Sequence, residues 1–328
     1  MLKEMSVEII RKCPNLCLHC SSMSSLSCRE QLPCEKFAEI VSDAVELGAA
    51  LICLSGGEPF LHNDLVRMIK TVADTGMTCA VYTSGIVLNA QGQTDALSET
   101  ILRELVGLPV KLIFNIEAGT EETYDKMMGT KHCFPVMKES VVRAVRTGLA
   151  VEANFVPTTV NCREIRQTIS LCEQLGVSKL NFLKLVLHGR AEQNRSRLEL
   201  TAKDYDCLRR ELEDIENHSR FPIRIGVPLS FHTGCAKCEA ANGKLNIKYN
   251  GEVYPCEVFK NGNAGLSIDG FRPDNIYGKR LKDIYRDSLY LRAVRERAKA
   301  FSSAVKGEPC IGQHMILLKE KRKAGDAS

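Results

Sequence analysis

Tryptophan is absent from this chain, and the three aromatic residue types together make up 6% of it. Base-stacking platforms need more than that, so the composition makes no case for a nucleic-acid partner. Charge of one sign is not in large excess either. Lys and Arg number 44 against 40 Asp and Glu, a formal net charge of +4 over 328 residues. The one basic run, Lys319-Glu320-Lys321-Arg322-Lys323, lies in a polar tail and reads as a solvated one. No apolar stretch reaches the roughly 18 residues of a membrane span. Nothing after Met1–Ser6 has the pattern of a cleavable signal. Cysteine, by contrast, is abundant, at 15 residues. Many cysteines without a secretion signal argue for metal ligation and free thiols in a reducing, cytoplasmic compartment, not for a disulfide scaffold.

Three of the cysteines stand close together in Cys13-Pro14-Asn15-Leu16-Cys17-Leu18-His19-Cys20, directly after the apolar run Val7–Ile10. Soft thiolates at C-x3-C-x2-C spacing suit iron–sulfur or zinc. Three is one short of a closed site, which leaves a metal position open to a ligand. A zinc knuckle, or chance in a cysteine-rich chain, is the plainer reading. A second motif follows in Ile52-Cys53-Leu54-Ser55-Gly56-Gly57-Glu58-Pro59, a short apolar strand ending in Gly-Gly-Glu-Pro. Paired glycines allow close backbone approach, Glu58 offers a negative charge, and Pro59 stiffens the turn.

Together these motifs resemble the radical S-adenosylmethionine (SAM) superfamily. The resemblance implies that Cys13, Cys17 and Cys20 hold a [4Fe–4S] cluster whose fourth iron binds SAM. It also implies that Gly56, Gly57, Glu58 and Pro59 orient the methionine end. Weaker matches at other strand ends add Ser84, Asn115, Glu117, Asn154 and Arg190 as candidate SAM contacts. Asn115-Ile116-Glu117-Ala118-Gly119 departs from the family's pattern, although Asn115 and Glu117 alternate onto one strand face. Arg190 is suited to pair with a carboxylate.

Short apolar runs at Val7–Ile10, Leu51–Leu54, Thr78–Tyr82, Lys111–Ile116, Val151–Val156 and Lys179–Leu183 alternate with amphipathic stretches. The stretches are Glu35–Leu47, Leu65–Ala73, Asp95–Val106, Val136–Val145 and Ile165–Leu175. Six such βα units imply an α/β fold with a parallel sheet and right-handed crossovers. Periodicity does not separate an open sheet from a barrel. The family resemblance implies a partial (β/α)6 TIM-like barrel over residues 1–200.

Beyond Thr201 the pattern changes. Ala202–Glu216 reads as a helix, Arg220–Pro228 as β-like, and Lys244–Tyr249/Glu252–Tyr254 as a hairpin turning at Asn250-Gly251. Cys235, Cys238 and Cys256 bracket that hairpin and Cys310 follows. This region, 201–315, resembles the family's SPASM/twitch extension, a small α+β unit. The resemblance implies one auxiliary [4Fe–4S] cluster on Cys235, Cys238, Cys256 and Cys310; a four-cysteine zinc site is the alternative. Residues 316–328 form the polar tail. Cys28, after the cluster loop, is a candidate hydrogen-atom donor, or a spare loop thiol. Cys53, Cys79, Cys162, Cys172 and Cys207 read as packing thiols.

The expected chemistry is reductive SAM cleavage to a 5′-deoxyadenosyl radical and abstraction of a substrate hydrogen. By analogy the substrate is a ribosomally made peptide, crosslinked, epimerised or oxidised, with a flavodoxin- or ferredoxin-type electron donor. The barrel pattern begins within the first ten residues, so a separate leader-binding protein is a candidate partner. Two alternatives stand beside this reading. One is a small-molecule oxidoreductase acting on a sugar alcohol or nucleotide-derived substrate. The other is a non-catalytic metal-binding module.

Overall fold

The computed structural model describes residues 1–226, 229, 238–260, 270, 272–304, 310 and 312, without the side chains of 301–304. The chain runs through β1 (Glu4–Ile10), α1 (Cys34–Glu46), β2 (Leu51–Gly56), α2 (Leu65–Ala73), β3 (Thr78–Thr83), β4 (Ile86–Leu88), β5 (Thr94–Ala96) and α3 (Glu99–Leu105). It continues through β6 (Val110–Asn115), α4 (Glu121–Met128), α5 (Cys133–Arg146), β7 (Ala150–Phe155), α6 (Ile165–Gln174) and β8 (Leu180–Phe182). Then follow α7 (Arg190–Gln193), α8 (Arg195–Leu198), α9 (Ala202–His218), β9 (Ile223–Ile225), β10 (Lys244–Ile247), β11 (Val253–Tyr254), α10 (Leu281–Asp287) and α11 (Leu289–Ala304).

The six apolar runs are the strands β1, β2, β3, β6, β7 and β8, paired in parallel as a TIM-like partial barrel. The two-residue strand period sorts their side chains between faces. Val7, Ile9, Ile52, Leu54, Val81, Leu112, Phe114, Val151 and Phe155 join the large core shared with the helices, alongside Phe37, Met68, Met137 and Val141. The opposite, inner face carries a small separate cluster of Cys53, Ala80 and Ile113 with Leu51 and Tyr82 packed on it. Strand register sets Ser6 beside Cys53, Asn115 beside Asn154, and Asn154 beside Asn181.

The sheet does not stop where the sequence pattern changes. β9 pairs in parallel with β8 at one edge, and β10 pairs in parallel with β1 at the other. β11 then folds back antiparallel on β10 as the expected hairpin. Arg280, at the start of α10, grips the buried Asp43 of α1 through two hydrogen bonds of 2.6 and 3.1 Å. The C-terminal region is therefore tied to the barrel on both sheet edges and on its helical face. Cys235 and residues 316–328 lie outside the described residues.

One local expectation is corrected. Asp95 belongs to the β4/β5 hairpin, and the following helix starts only at Glu99. The turn at Asn89–Gln93, closed by the Asn89 side chain on two backbone amides, makes that hairpin. A further helix, α4, is too short and polar to show a periodic pattern; it ends at Gly129 in a left-handed conformation, φ 63°.

Phe155 and Phe182 face each other across β7 and β8, ring centroids 5.7 Å apart, both fully buried. Phe182→Ala is expected to cost ~3–5 kcal/mol of stability, measured by denaturant unfolding. Among the described residues, no helix is long and apolar enough to cross a membrane.

Candidate metal centre

The cysteine loop leaves the C-terminal end of β1, where parallel α/β proteins place their sites. It has little secondary structure of its own and is held by neighbours. Leu16 and Leu18 donate their backbone amides to Met128 and Met127 at the end of α4, at 3.1 and 2.9 Å. A Cβ on Gly129 would strike the Leu16 carbonyl, so glycine is required there for closeness as well as conformation. Arg190 works from the other side. Its Nε donates to the Cys17 carbonyl at 2.9 Å, its Nη1 to Ser24 at 2.8 Å, and its backbone N–H to Cys20 at 2.9 Å.

Cys13, Cys17 and Cys20 converge closely enough to interact electrostatically. Burial pushes the Cys13 and Cys17 thiols well above the ordinary range, and the neighbouring thiols add to it. Such a group of thiols ionises readily only when a metal replaces their protons. The three sulfurs are not in a zinc arrangement. A tetrahedral zinc would hold them about 3.8 Å apart. Among the described residues, the only set of three ligand atoms within 4.8 Å of one another is Glu121, Asp125 and His132, far from these cysteines in role and exposed at both ends. Asp125 there already accepts from the backbones of His132, Cys133 and Phe134, as a helix cap.

Around the triplet lies a concentration of unmet hydrogen-bonding capacity. The Glu8 Oε2, both Asn15 amide atoms, His19 Nδ1, Ser24 Oγ and Arg190 Nη2 are all buried without a partner. Buried polar atoms are normally paired, so this set fits a polar cofactor seated against the loop. Arg190 Nη2 and the Asn15 amide supply donors for anionic sulfur or a carboxylate.

Gly56 and Gly57 have a clear steric reason. A Cβ at Gly56 would overlap the Ile10 carbonyl oxygen, and one at Gly57 the Lys12 carbonyl oxygen. Gly57 and Glu58 donate backbone amides to those same carbonyls, at 2.6 and 2.9 Å. The end of β2 is thus laid directly on the segment entering Cys13. Pro59 opens a 3-10 turn, Pro59–Leu61.

Glu58 turns inward and is fully buried. Its carboxylate accepts from Thr83 Oγ1 at 2.6 Å, Ser84 Oγ at 2.5 Å, Ser84 N at 2.8 Å and Phe60 N at 3.3 Å. Burial raises its pKa against the pull of those donors. Ser84 and Glu58, both candidates from the sequence, thus meet each other. Glu117 is also buried; it accepts from Val156 N at 2.9 Å and lies 3.3 Å from His19 Nε2. From its place inside the cysteine motif, His19 is expected to shape the cluster environment and carries no catalytic role. Asn115 and Asn154 sit side by side in register near the same strand ends. Cys28 is buried with its Sγ 3.4 Å from Ser25 Oγ, near Arg11 and Tyr249.

In the C-terminal region Cys256 is half-buried, and the nearby Cys310 and Cys238 add to a thiol pKa already raised by desolvation. Gly312, two residues past Cys310, packs on Val258 and Phe259. Every described cysteine is free of disulfides.

A parallel βα barrel with three thiols, one buried and two half-buried, converging beyond its first strand defines a metalloenzyme built on a TIM-like scaffold. The chain belongs to the radical SAM superfamily, whose family model matches residues 7–172, half of the chain. It is a radical SAM enzyme, with a [4Fe–4S] cluster and SAM as cofactors, and the non-catalytic alternative is set aside. It is 27% identical to the PqqA peptide cyclase of Methylobacterium sp. (strain 4-46) over 293 residues, covering 88% of this chain and 74% of that one. In fold it is similar to Streptococcus suis SuiB bound to its precursor peptide SuiA, with a TM-score of 0.71 at 15% identity, covering 90% of this chain and 67% of that one. It is also similar to anSMEcpe with bound AdoMet and the Cp18Cys peptide, with a TM-score of 0.65 at 16% identity, covering 89% and 82%.

Proposed function

We propose that this enzyme modifies a peptide by radical SAM chemistry, with Cys13, Cys17 and Cys20 as the ligands of the SAM-binding cluster. The similarity to a PqqA peptide cyclase along 88% of the chain carries the substrate class. When bound, cluster and SAM together supply a 5′-deoxyadenosyl radical that takes a hydrogen atom from the substrate. The chain's own residues hold and orient. Arg190 fixes the cysteine loop and offers its spare Nη2. Gly56 and Gly57 set the backbone against which the methionine end of SAM lies. Glu58, locked by Thr83 and Ser84, keeps that backbone in place, while Pro59 stiffens it. Asn115, Glu117 and Asn154 offer polar contacts to SAM from the ends of β6 and β7.

Residues 1–200 serve as the SAM barrel and 201–315 as the auxiliary region. There Cys238, Cys256 and Cys310, together with Cys235, would hold a second cluster, which would supply an electron acceptor or a ligand for the substrate. A flavodoxin- or ferredoxin-type protein supplies the reducing electron, and Cys28 remains a candidate hydrogen donor.

Anaerobically reconstituted protein, given dithionite, SAM and peptides encoded beside its gene, is expected to form 5′-deoxyadenosine and shift the mass of one peptide. Deoxyadenosine formation with every such peptide unchanged would overturn the peptide reading.

A further inference from the structure

We infer that Asn246 and Glu8 form an anchor for a neutral amide group of the substrate, on the inner face of the barrel. The inference rests on the peptide reading above. Asn246 lies in β10 between Leu245 and Ile247, both of which join the helix-side core. Strand alternation therefore turns the Asn246 side chain to the inner face, beside Ser6 of β1. It is 1% exposed, and both its amide atoms lack a hydrogen-bond partner.

The surroundings say what would satisfy it. Two residues along β1 from Ser6 stands Glu8, whose Oε1 takes Lys260 Nζ at 2.8 Å and Ser22 Oγ at 2.6 Å. Its Oε2 is buried and open. Two residues the other way, Glu4 meets Lys244 at 3.2 Å. Glu257 accepts from Ser6 and lies close to both Lys244 and Lys260. Lys248 also acts on Glu8, so three carboxylates, Glu4, Glu8 and Glu257, stand with three ammonium groups, Lys244, Lys248 and Lys260, around the one neutral amide. A charged ligand group would bury an unbalanced charge here; a neutral one would not. Asn246 presents an acceptor and two donors in one plane, the complement of a carboxamide, and Glu8 Oε2 accepts a further N–H. A peptide chain carries such a group at every residue. Lys260 is close enough to Cys20 to feel its charge, so the anchor lies on the side of the cysteine loop.

A side chain kept only for folding would be apolar here, or hydrogen-bonded as Ser6 beside it is to Glu257. An unpartnered buried amide is a cost to the fold, retained where function requires it. Asn246→Leu, nearly the same shape, separates the two roles. The probe is N-acetylglycine N-methylamide, a small molecule with two peptide groups, its binding to reconstituted, SAM-loaded protein followed by ligand-observed NMR. The variant is expected to melt a few degrees higher than wild type yet bind the diamide at least ~tenfold more weakly. Asn246→Ser, which leaves room for water, is expected to show the same loss of binding. Unchanged diamide affinity in both variants overturns the anchor, as does wild type that does not bind the diamide. A lower melting temperature for Asn246→Leu also overturns it, because Asn246 would then be serving the fold. If Asn246→Leu modifies a peptide with unchanged KM, the anchor falls and the peptide reading stands. If the variant loses the diamide while wild type accepts no peptide, the anchor stands for a small amide and the peptide reading falls.

Discussion

The Cys13/Cys17/Cys20→Ala triple variant, reconstituted anaerobically, will form no 5′-deoxyadenosine and will still hold about four irons per chain. The first half of this expectation follows from the loop. Cys13 is buried and Cys17 half-buried, desolvation opposes the ionisation of both thiols, and they are grouped with Cys20 and ringed by open donors. Alanine at all three positions leaves nothing to hold a cluster there, and reductive SAM cleavage has no electron source. The second half follows from the separate set of Cys238, Cys256 and Cys310, which lies around β11 rather than on the β1 loop. Iron and sulfide analysis with the optical spectrum measures both. A variant with no iron would remove the auxiliary cluster and return those cysteines to zinc or structural roles. A variant that still cleaves SAM would remove the triplet from the site.

What was legible in the sequence was local. Buried parallel strands need apolar side chains on the helix-facing side, so β1, β2, β3, β6, β7 and β8 appeared as short apolar runs. The C-x3-C-x2-C and Gly-Gly-Glu-Pro motifs are contiguous and were readable for the same reason. The contacts that make the motifs work join distant positions. Glu58 was read as a charge for the ligand, yet its oxygens meet Thr83 and Ser84 on the neighbouring strand. Arg190 was read as a partner for a carboxylate, yet its Nε and Nη1 hold the cysteine loop's own carbonyls. The insertion of β10 beside β1 joins residues some 240 positions apart, Glu4 to Lys244, and no local pattern reports it. Asn246 looked like any polar residue of a hairpin until that pairing turned it inward.

Gly57→Ala is expected to lower SAM cleavage by about a hundredfold or more, although it adds one methyl group and touches no cysteine. The added Cβ would sit closer to the Lys12 carbonyl oxygen than the 3.0 Å that real Cβ atoms keep, and would crowd the Arg11 carbonyl as well. Both neighbours are backbone, so no side chain can swing away. The chain entering Cys13 must shift instead, and the Glu58 amide bond to Lys12 goes with it. A displacement of about 1 Å in a catalytic group is enough for a loss of that size. Gly76→Ala is the control: its left-handed backbone, φ +78°, makes alanine unfavourable there too, but the new Cβ would meet nothing within 4 Å. Strain alone therefore predicts a small loss of stability in Gly76→Ala with SAM cleavage retained, whereas crowding of the cysteine loop predicts loss of cleavage in Gly57→Ala with the C-terminal iron still bound. Equal activity in the two variants would mean that the contact of β2 with Lys12 does not set the position of Cys13.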